Sequence, residues 1–292
     1  MKQTTLTPLA AALFLTALMG LAALSGCSTT PPLPSSTQAS QSLPPEASVP
    51  PDVSLPPEPE TRLFPAVPAI SPIQAAALET YDFSQPAPES PAVELDYFDD
   101  AAFVGDSRTD GFFIYSGIGR GKNLTSNGLS IFKLDTKKAL TINKKKYTLL
   151  EALALGEYGK VYFSLGINEL GYFDDEGFYQ GYLHAVDAIR KSQPNAVIYI
   201  QGLIPINEAQ VSRPYFTNER VRNYNDIMRR VAEEKQVVFL DLYSAFADEN
   251  GELPAQASKD GVHLYSQWCK DWLAYLQTHT VDYDTLYPAP KN

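Results

Sequence analysis

"DDAAFVGDSRTDGFF", residues 99–113, joins a short apolar run to a polar turn and then to a new periodicity. The run 101–104 is continuous in apolar residues, the pattern of a strand buried on both faces. It stops at Gly105-Asp106-Ser107-Arg108, and a helix-like pattern follows. Two readings of Ser107 stand at this point. It is a helix cap, or a nucleophile held at the carboxyl end of a strand.

Similar runs recur downstream: "KVYFSLG" (160–166), "NAVIYIQG" (195–202) and "VVFLDL" (237–242). Between them lie amphipathic patterns. Tyr182, Ala185, Val186 and Ile189 repeat at three and four residues, as do Val221, Tyr224, Ile227, Met228 and Val231. Thr217 is a plausible start for the second helix, and "SQWCKDWLAYLQTH" reads as a closing helix. Strands alternating with helices predict a three-layer α/β domain with a parallel sheet and right-handed crossovers. Ligands of such sheets bind at the carboxyl ends of the strands, where Ser107 stands. One stretch breaks the alternation. "ALTINKKKYTLLEAL" predicts a hairpin tipped by Asn143-Lys144-Lys145-Lys146 and running into a short helix. Its lysines read as a solvated turn, or as a contact for anionic envelope polymers or lipid headgroups.

The chain has 292 residues, which leaves room beside one domain. Lys2 and an apolar run from Leu6 to Leu24 open it, ending in Leu24-Ser25-Gly26-Cys27. That tetrapeptide matches the bacterial lipobox, in which small residues admit a signal peptidase and the cysteine thiol takes a diacylglycerol. The alternative is an uncleaved membrane anchor. Sixteen of the 23 prolines fall between Ser28 and Pro91. Such a composition buries too little apolar surface to offset its ordering entropy, so it reads as an extended tether. The boundaries are 1–27 for the signal peptide, 28–94 for a Pro-rich, disordered, acidic linker, and 95–292 for the folded domain.

The net charge of −11 divides unevenly. Residues 28–100 carry about −10 and residues 101–292 only about −2. A nucleic-acid footprint needs a clear basic excess, and there is none. The cysteines are Cys27 and Cys269. With lipid on Cys27, no internal disulfide can form. Cys269, between Trp268 and Trp272, reads as a small buried apolar residue.

A serine hydroxyl attacks only when a base takes its proton and a third group orients the base. Of three histidines, His184 and His279 lie within or at the end of helical patterns, while His263 sits in the polar loop "SKDGVHLYSQW". Asp260 precedes it by three residues, close enough in a turn to reach Nδ1 and leave Nε2 outward. The oxyanion formed on attack needs preorganised donors. Asn168, in "SLGINELGYF", offers a side-chain amide, and Gly128, in "TSNGLSIF", a backbone N–H. Each has a plain alternative, a cap for Asn168 and an ordinary turn for Gly128.

Taken in order, G-D-S, a turn glycine, G-x-N after a strand and D-x-x-H near the C-terminus resemble the SGNH (GDSL-type) hydrolase family. The resemblance covers about residues 97–280. It implies a flavodoxin-like α/β/α sandwich, with Ser107 as nucleophile, His263 as general base and then acid, and Asp260 as its orienting carboxylate. The implied oxyanion hole consists of the Ser107 and Gly128 N–H groups and the Asn168 side chain. Asp106 is expected to bond local backbone. The sequence departs from the family pattern at Arg108, where leucine is usual, and at Glu169, where aspartate is frequent. "GIGRGKN" (117–123) lacks P-loop spacing and reads as a flexible loop beside the active site. The G-x-S-x-G elbow of α/β-hydrolases is absent.

The expected protein is therefore a lipid-anchored, extracytoplasmic serine esterase acting on acyl esters, acetyl included, with acylated glycans as candidate substrates. It needs no metal or cofactor, and its membrane contact is the lipid on Cys27. Two alternatives use the same chain: an O-acyltransferase that passes the acyl group to an envelope glycan, and a non-catalytic binding lipoprotein. Retention of Ser107, His263 and Asn168 together speaks against the second.

Overall fold

Alternate residues of Ala101–Gly105, strand β1, enter two different cores. Ala102 and Val104 join one apolar cluster, and Ala101 and Phe103 the other. A strand with no solvent face has no reason to alternate polar and apolar residues, hence the continuous run in the sequence. In this computed structural model, which describes residues 81–289, β1 is followed directly by helix α1 (Ser107–Tyr115). Next come β2 (Lys122–Thr125), a hairpin of β3 (Leu140–Ile142) and β4 (Lys145–Tyr147), and helix α2 (Leu149–Leu153). Then β5 (Lys160–Ser164), α3 (Asp175–Ser192), β6 (Val197–Gln201), α4 (Asn218–Lys235) and β7 (Val238–Leu240) alternate. Helices α5 (Leu242–Phe246), α6 (Ser266–Gln277) and α7 (Tyr283–Leu286) complete the described chain.

The main sheet has five parallel strands in the order β2-β1-β5-β6-β7. This is the flavodoxin-like order, and it reverses direction at β1, with β2 on one side and β5 on the other. Helices α2, α3 and α4 cover one face through residues such as Leu153, Tyr182, Ile189, Tyr224 and Met228. Helices α1, α5, α6 and α7 cover the other through Phe112, Phe246, Trp272 and Leu286. On that second face Phe103, Tyr162 and Tyr199, in register across β1, β5 and β6, form a stacked row. Their ring centroids are 4.9 and 4.6 Å apart. Each such pair adds about 0.5–1.5 kcal/mol beyond its buried area.

Several local expectations meet the structure directly. Thr217 caps α4, its side chain accepting the Arg220 N–H. The hairpin turn is shorter than expected. Asn143 and Lys144 alone form it, both at positive φ, while Lys145 already pairs with Ile142. That is the backbone of a two-residue type I′ turn.

Three findings differ from the sequence reading. Strand β2 was not anticipated, because "KNLT" is short, mostly polar and at the sheet edge. The loop 117–121 joins α1 to β2, and Lys122 pairs with Ala102 near the amino end of β1. It therefore lies at the end of the sheet away from Ser107, not beside the active site. Finally, residues 81–94, expected as the end of the linker, pack onto the domain. Ala87 is buried, and Tyr81, Phe83 and Val93 pack against the core. The Ala87 N–H donates to the Phe239 carbonyl (2.8 Å) and the Val93 N–H to that of Gln277 (2.9 Å). Backbone bonds of this kind leave no periodic mark in a sequence. The leader, the lipobox with Cys27 and linker residues 28–80 lie outside the described residues.

Candidate active site

At the carboxyl end of β1 the chain must turn at once into α1, and Gly105 makes this possible. A Cβ there would collide with the Thr109 side chain and come within 2.7 Å of the Ser164 carbonyl oxygen. The helix cap is Asp106, whose Oδ1 accepts the Arg108 N–H at 2.9 Å. Ser107 is thus relieved of capping, and its hydroxyl lies 2.9 Å from His263 Nε2. Strands β2, β1 and β5 are neighbours, so their carboxyl ends deliver Gly128, Ser107 and Asn168 to one place. His263 arrives from the loop before α6, which rests on α1 through Trp272 against Phe112 (4.8 Å between centroids).

His263 Nδ1 is 2.7 Å from Asp260 Oδ2. The other carboxylate oxygen accepts the N–H groups of Val262 (3.0 Å) and His263 (2.9 Å) and the Ser258 hydroxyl (3.0 Å). Partial burial pushes the Asp260 carboxyl upward, but the His263 and Val262 donors outweigh it and hold it well below the usual carboxylate range. An ionised carboxylate only accepts hydrogen bonds, so Nδ1 carries a proton, and in the neutral imidazole Nε2 then faces Ser107 as an acceptor.

The donors opposite are equally defined. Among the described residues, the N–H groups of Ser107 and Gly128 have no protein acceptor. Asn168 Nδ2 donates to Asp106 Oδ2 (3.2 Å) and to the Leu129 carbonyl (3.0 Å), which fixes the amide with its NH₂ toward the carboxyl end of β1. The turn that presents it needs Gly166, whose φ of 146° is one that L side chains rarely adopt.

Beneath these groups lie three buried ionisable side chains: Asp106, which bonds local backbone as expected, and Arg108 and Glu169, which the sequence leaves without a role. Burial raises the Asp106 carboxyl to about 6, against the pull of Arg108 and His263. Burial lowers Arg108 to about 10, and its guanidinium donates to the carbonyls of Ile204 (2.8 Å) and Pro205 (3.3 Å). The arginine that replaces leucine is therefore a clamp on the loop after β6. Glu169 is fully buried, its Oε1 accepting the Ile131 N–H while Oε2 has no partner. Burial, with Asp106 nearby, raises it to about 8 despite the Ile131 donor.

This last shift has a measurable consequence. Unfolded, the group titrates near its ordinary 4.5, and folded near 8. Between those values the native state holds a proton that the unfolded chain has released, so stability falls as pH rises. Each pH unit costs up to about 1.4 kcal/mol. Urea unfolding between about pH 6.5 and 8, above the Asp106 titration, will show the decline, and Glu169→Gln will flatten it. Equal slopes in the two proteins would refute the assignment.

Ser107, Gly128, Asn168, Asp260 and His263 line one cavity of about 500 Å³. A second, of about 290 Å³, adjoins the same Ser107 and His263 on the side of Arg108, Ile114 and Tyr115. The sequence reading missed one wall of the larger cavity: Val211, Ser212, Arg213 and Phe216, from the loop between β6 and α4. Loops carry no periodicity, and no signal in "QVSRPYF" marks it. His184 pairs with Asp135 on the surface and His279 stacks on Tyr275, neither of them among the lining residues. Cys269 is buried, and burial pushes its thiol up to about 11, which removes it as a nucleophile.

Comparison with solved structures finds the same fold. A Streptococcus pneumonia protein provisionally named a platelet activating factor is 18% identical, with a TM-score of 0.51 over 64% of this chain and 84% of that one. A GDSL-like lipase from Bacteroides thetaiotaomicron is 14% identical, covering 61% and 86% of the two chains at a TM-score of 0.44. A peptidoglycan O-acetylesterase is 24% identical at a TM-score of 0.40, and the match spans 54% of this chain and 46% of that protein. No curated protein matches the chain. The model of the GDSL-like lipase/acylhydrolase family matches residues 103–267, from β1 through the histidine loop. As that match takes in more than half of the chain, Ser107 and His263 included, the protein belongs to the GDSL-like lipase/acylhydrolase family and is an ester-hydrolysing enzyme.

Proposed function

We propose that this enzyme is a lipid-anchored, extracytoplasmic serine esterase that removes short acyl groups, acetyl foremost, from polysaccharides. The observation that carries the reading is the continuous relay from Asp260 through His263 to Ser107, at 2.7 and 2.9 Å. In this reading Ser107 Oγ attacks the ester carbonyl while its proton passes to His263 Nε2. The oxyanion forms against the Ser107 and Gly128 N–H groups and the Asn168 amide. Collapse expels the alcohol, which takes the proton from His263. Water, activated by the same imidazole, then releases the acid from the acyl-serine.

Access supports short acyl groups on a bulky alcohol. The side chains of His263 and Asp260 are 51% and 55% exposed. So open a site suits an ester projecting from a polymer better than a long acyl chain that needs a covered channel. The same openness brings water to the acyl-enzyme and favours hydrolysis over transfer to a sugar hydroxyl. On a series of p-nitrophenyl esters, acetate should turn over fastest and rates should fall with chain length. Release of acetate from a soluble acetylated glycan should accompany it. Rates that climb with chain length, with no acetate released, would exclude this substrate class.

Location rests on the sequence Leu24-Ser25-Gly26-Cys27. Cys27→Ser should abolish incorporation of a labelled fatty acid and leave precursor or released protein. Equal labelling of the variant would end the lipoprotein reading.

A further inference from the structure

The wall between β6 and α4 places a cation, Arg213, in the larger cavity, and among the described residues no carboxylate pairs with it. Arg108, Arg120, Arg190, Arg220, Arg222 and Arg229 each donate to a protein acceptor. Arg213 lines the cavity that holds Ser107, and among the described residues its guanidinium donates to none. The one carboxylate on the cavity wall, Asp260, is engaged by His263, Val262 and Ser258. At the other rim Lys137 Nζ donates to the Asn127 carbonyl at 3.2 Å, adding a second positive charge beside Gly128.

The backbone that carries Arg213 is anchored, and its side chain is exposed. The Arg213 carbonyl accepts the N–H of Phe216 at 3.0 Å, Phe216 is buried, and the guanidinium lies 5.3 Å from that ring. The same loop is tied to the histidine loop, as the Asn207 N–H donates to the Gly261 carbonyl at 2.9 Å. A guanidinium keeps its charge at every working pH, and its planar fork matches a carboxylate or phosphate. Arg230 also lacks an acceptor among the described residues, but it lies over the Tyr179 ring. Arg213 is the cation on the wall of the cavity that holds Ser107, where an anion from outside can reach it.

We propose that Arg213 anchors an anionic group on the alcohol half of the substrate, as in an acetyl ester of an acidic sugar. The inference rests on the esterase reading above, since a short acyl group leaves only the alcohol half to reach the 211–216 wall.

Two acetyl esters of nearly equal shape that differ chiefly in charge test it: 4-acetoxybenzoate and 4-acetoxybenzamide. Wild-type kcat/KM should favour the carboxylate by about tenfold, chiefly through KM, and the preference should shrink as salt rises. In Arg213→Ala the ratio should fall to near one, and Arg213→Lys should restore part of it. A ratio unchanged in Arg213→Ala overturns the proposal. A parallel run with 4-acetoxyphenyl phosphate tells which anion fits better. If the wild type cleaves none of these esters, the esterase reading fails on its own. Binding then decides the anion site: 4-acetoxybenzoate titrated into Ser107→Ala protein, followed by NMR, should bind, and should bind about tenfold more weakly once Arg213→Ala is added. Equal binding by both proteins refutes the site.

Discussion

Ser107→Ala protein will turn over an activated acetyl ester about 10⁶-fold more slowly than the wild type while keeping its circular dichroism spectrum. Ser107 is half-buried on the cavity wall, capping is done by Asp106, and the helix bonds are made by backbone, so alanine leaves the fold intact. His263→Ala will cost nearly as much, because without an acceptor 2.9 Å away the hydroxyl keeps its proton. The double variant will be little worse than either single one, since serine and base act as one unit. A fluorophosphonate probe will label the wild type and spare Ser107→Ala. Near wild-type turnover by Ser107→Ala would place the nucleophile elsewhere.

Asn168→Ala will lower kcat by about 10²–10³ with a much smaller change in KM, because an oxyanion donor acts in the transition state. In the resting enzyme the Asn168 amide bonds Asp106 Oδ2 and the Leu129 carbonyl. Both amide protons are engaged before substrate arrives, so the oxyanion must take one over from Asp106 or from the Leu129 carbonyl. Alanine also strips a donor from a buried carboxylate, so a modest loss of stability will accompany the rate effect. Thermal melting beside steady-state kinetics separates the two. A kcat that stays unchanged while the melting temperature falls would make Asn168 a structural bridge only.

Much of this architecture could be read directly from residue order. Strands β1, β5, β6 and β7 announce themselves because a strand buried on both faces is nearly continuous in apolar residues, as 101–104 and 161–163 show. Helices α3 and α4 do so because each buries one stripe, at Tyr182, Val186 and Ile189 and at Val221, Tyr224 and Met228. Strand β2 escaped notice for the converse reason: an edge strand of four residues, "KNLT", buries only Leu124 fully. The segment 81–94 escaped because its attachment runs through main-chain bonds to Phe239, Thr278 and Gln277, which any residue type can make.

The candidate site divides in the same way. Residue identity and order marked Ser107, Gly128, Asn168, Asp260 and His263, since a poor nucleophile demands a base, an orienting carboxylate and donors, and few residue types supply each. The pairing of Asp260 with His263 is local, three residues in one turn, and was therefore visible before any fold was known. That Ser107 meets His263 across 156 positions, that Arg108 clamps the Ile204–Pro205 carbonyls, and that Glu169 is sealed beneath the site depended on the sheet. So did the presence of Arg213 on the cavity wall. Contacts of that range depend on which strands are neighbours and which loops they leave at one end. That order, β2-β1-β5-β6-β7, comes from packing two apolar cores at once and is not written in any single stretch of the chain.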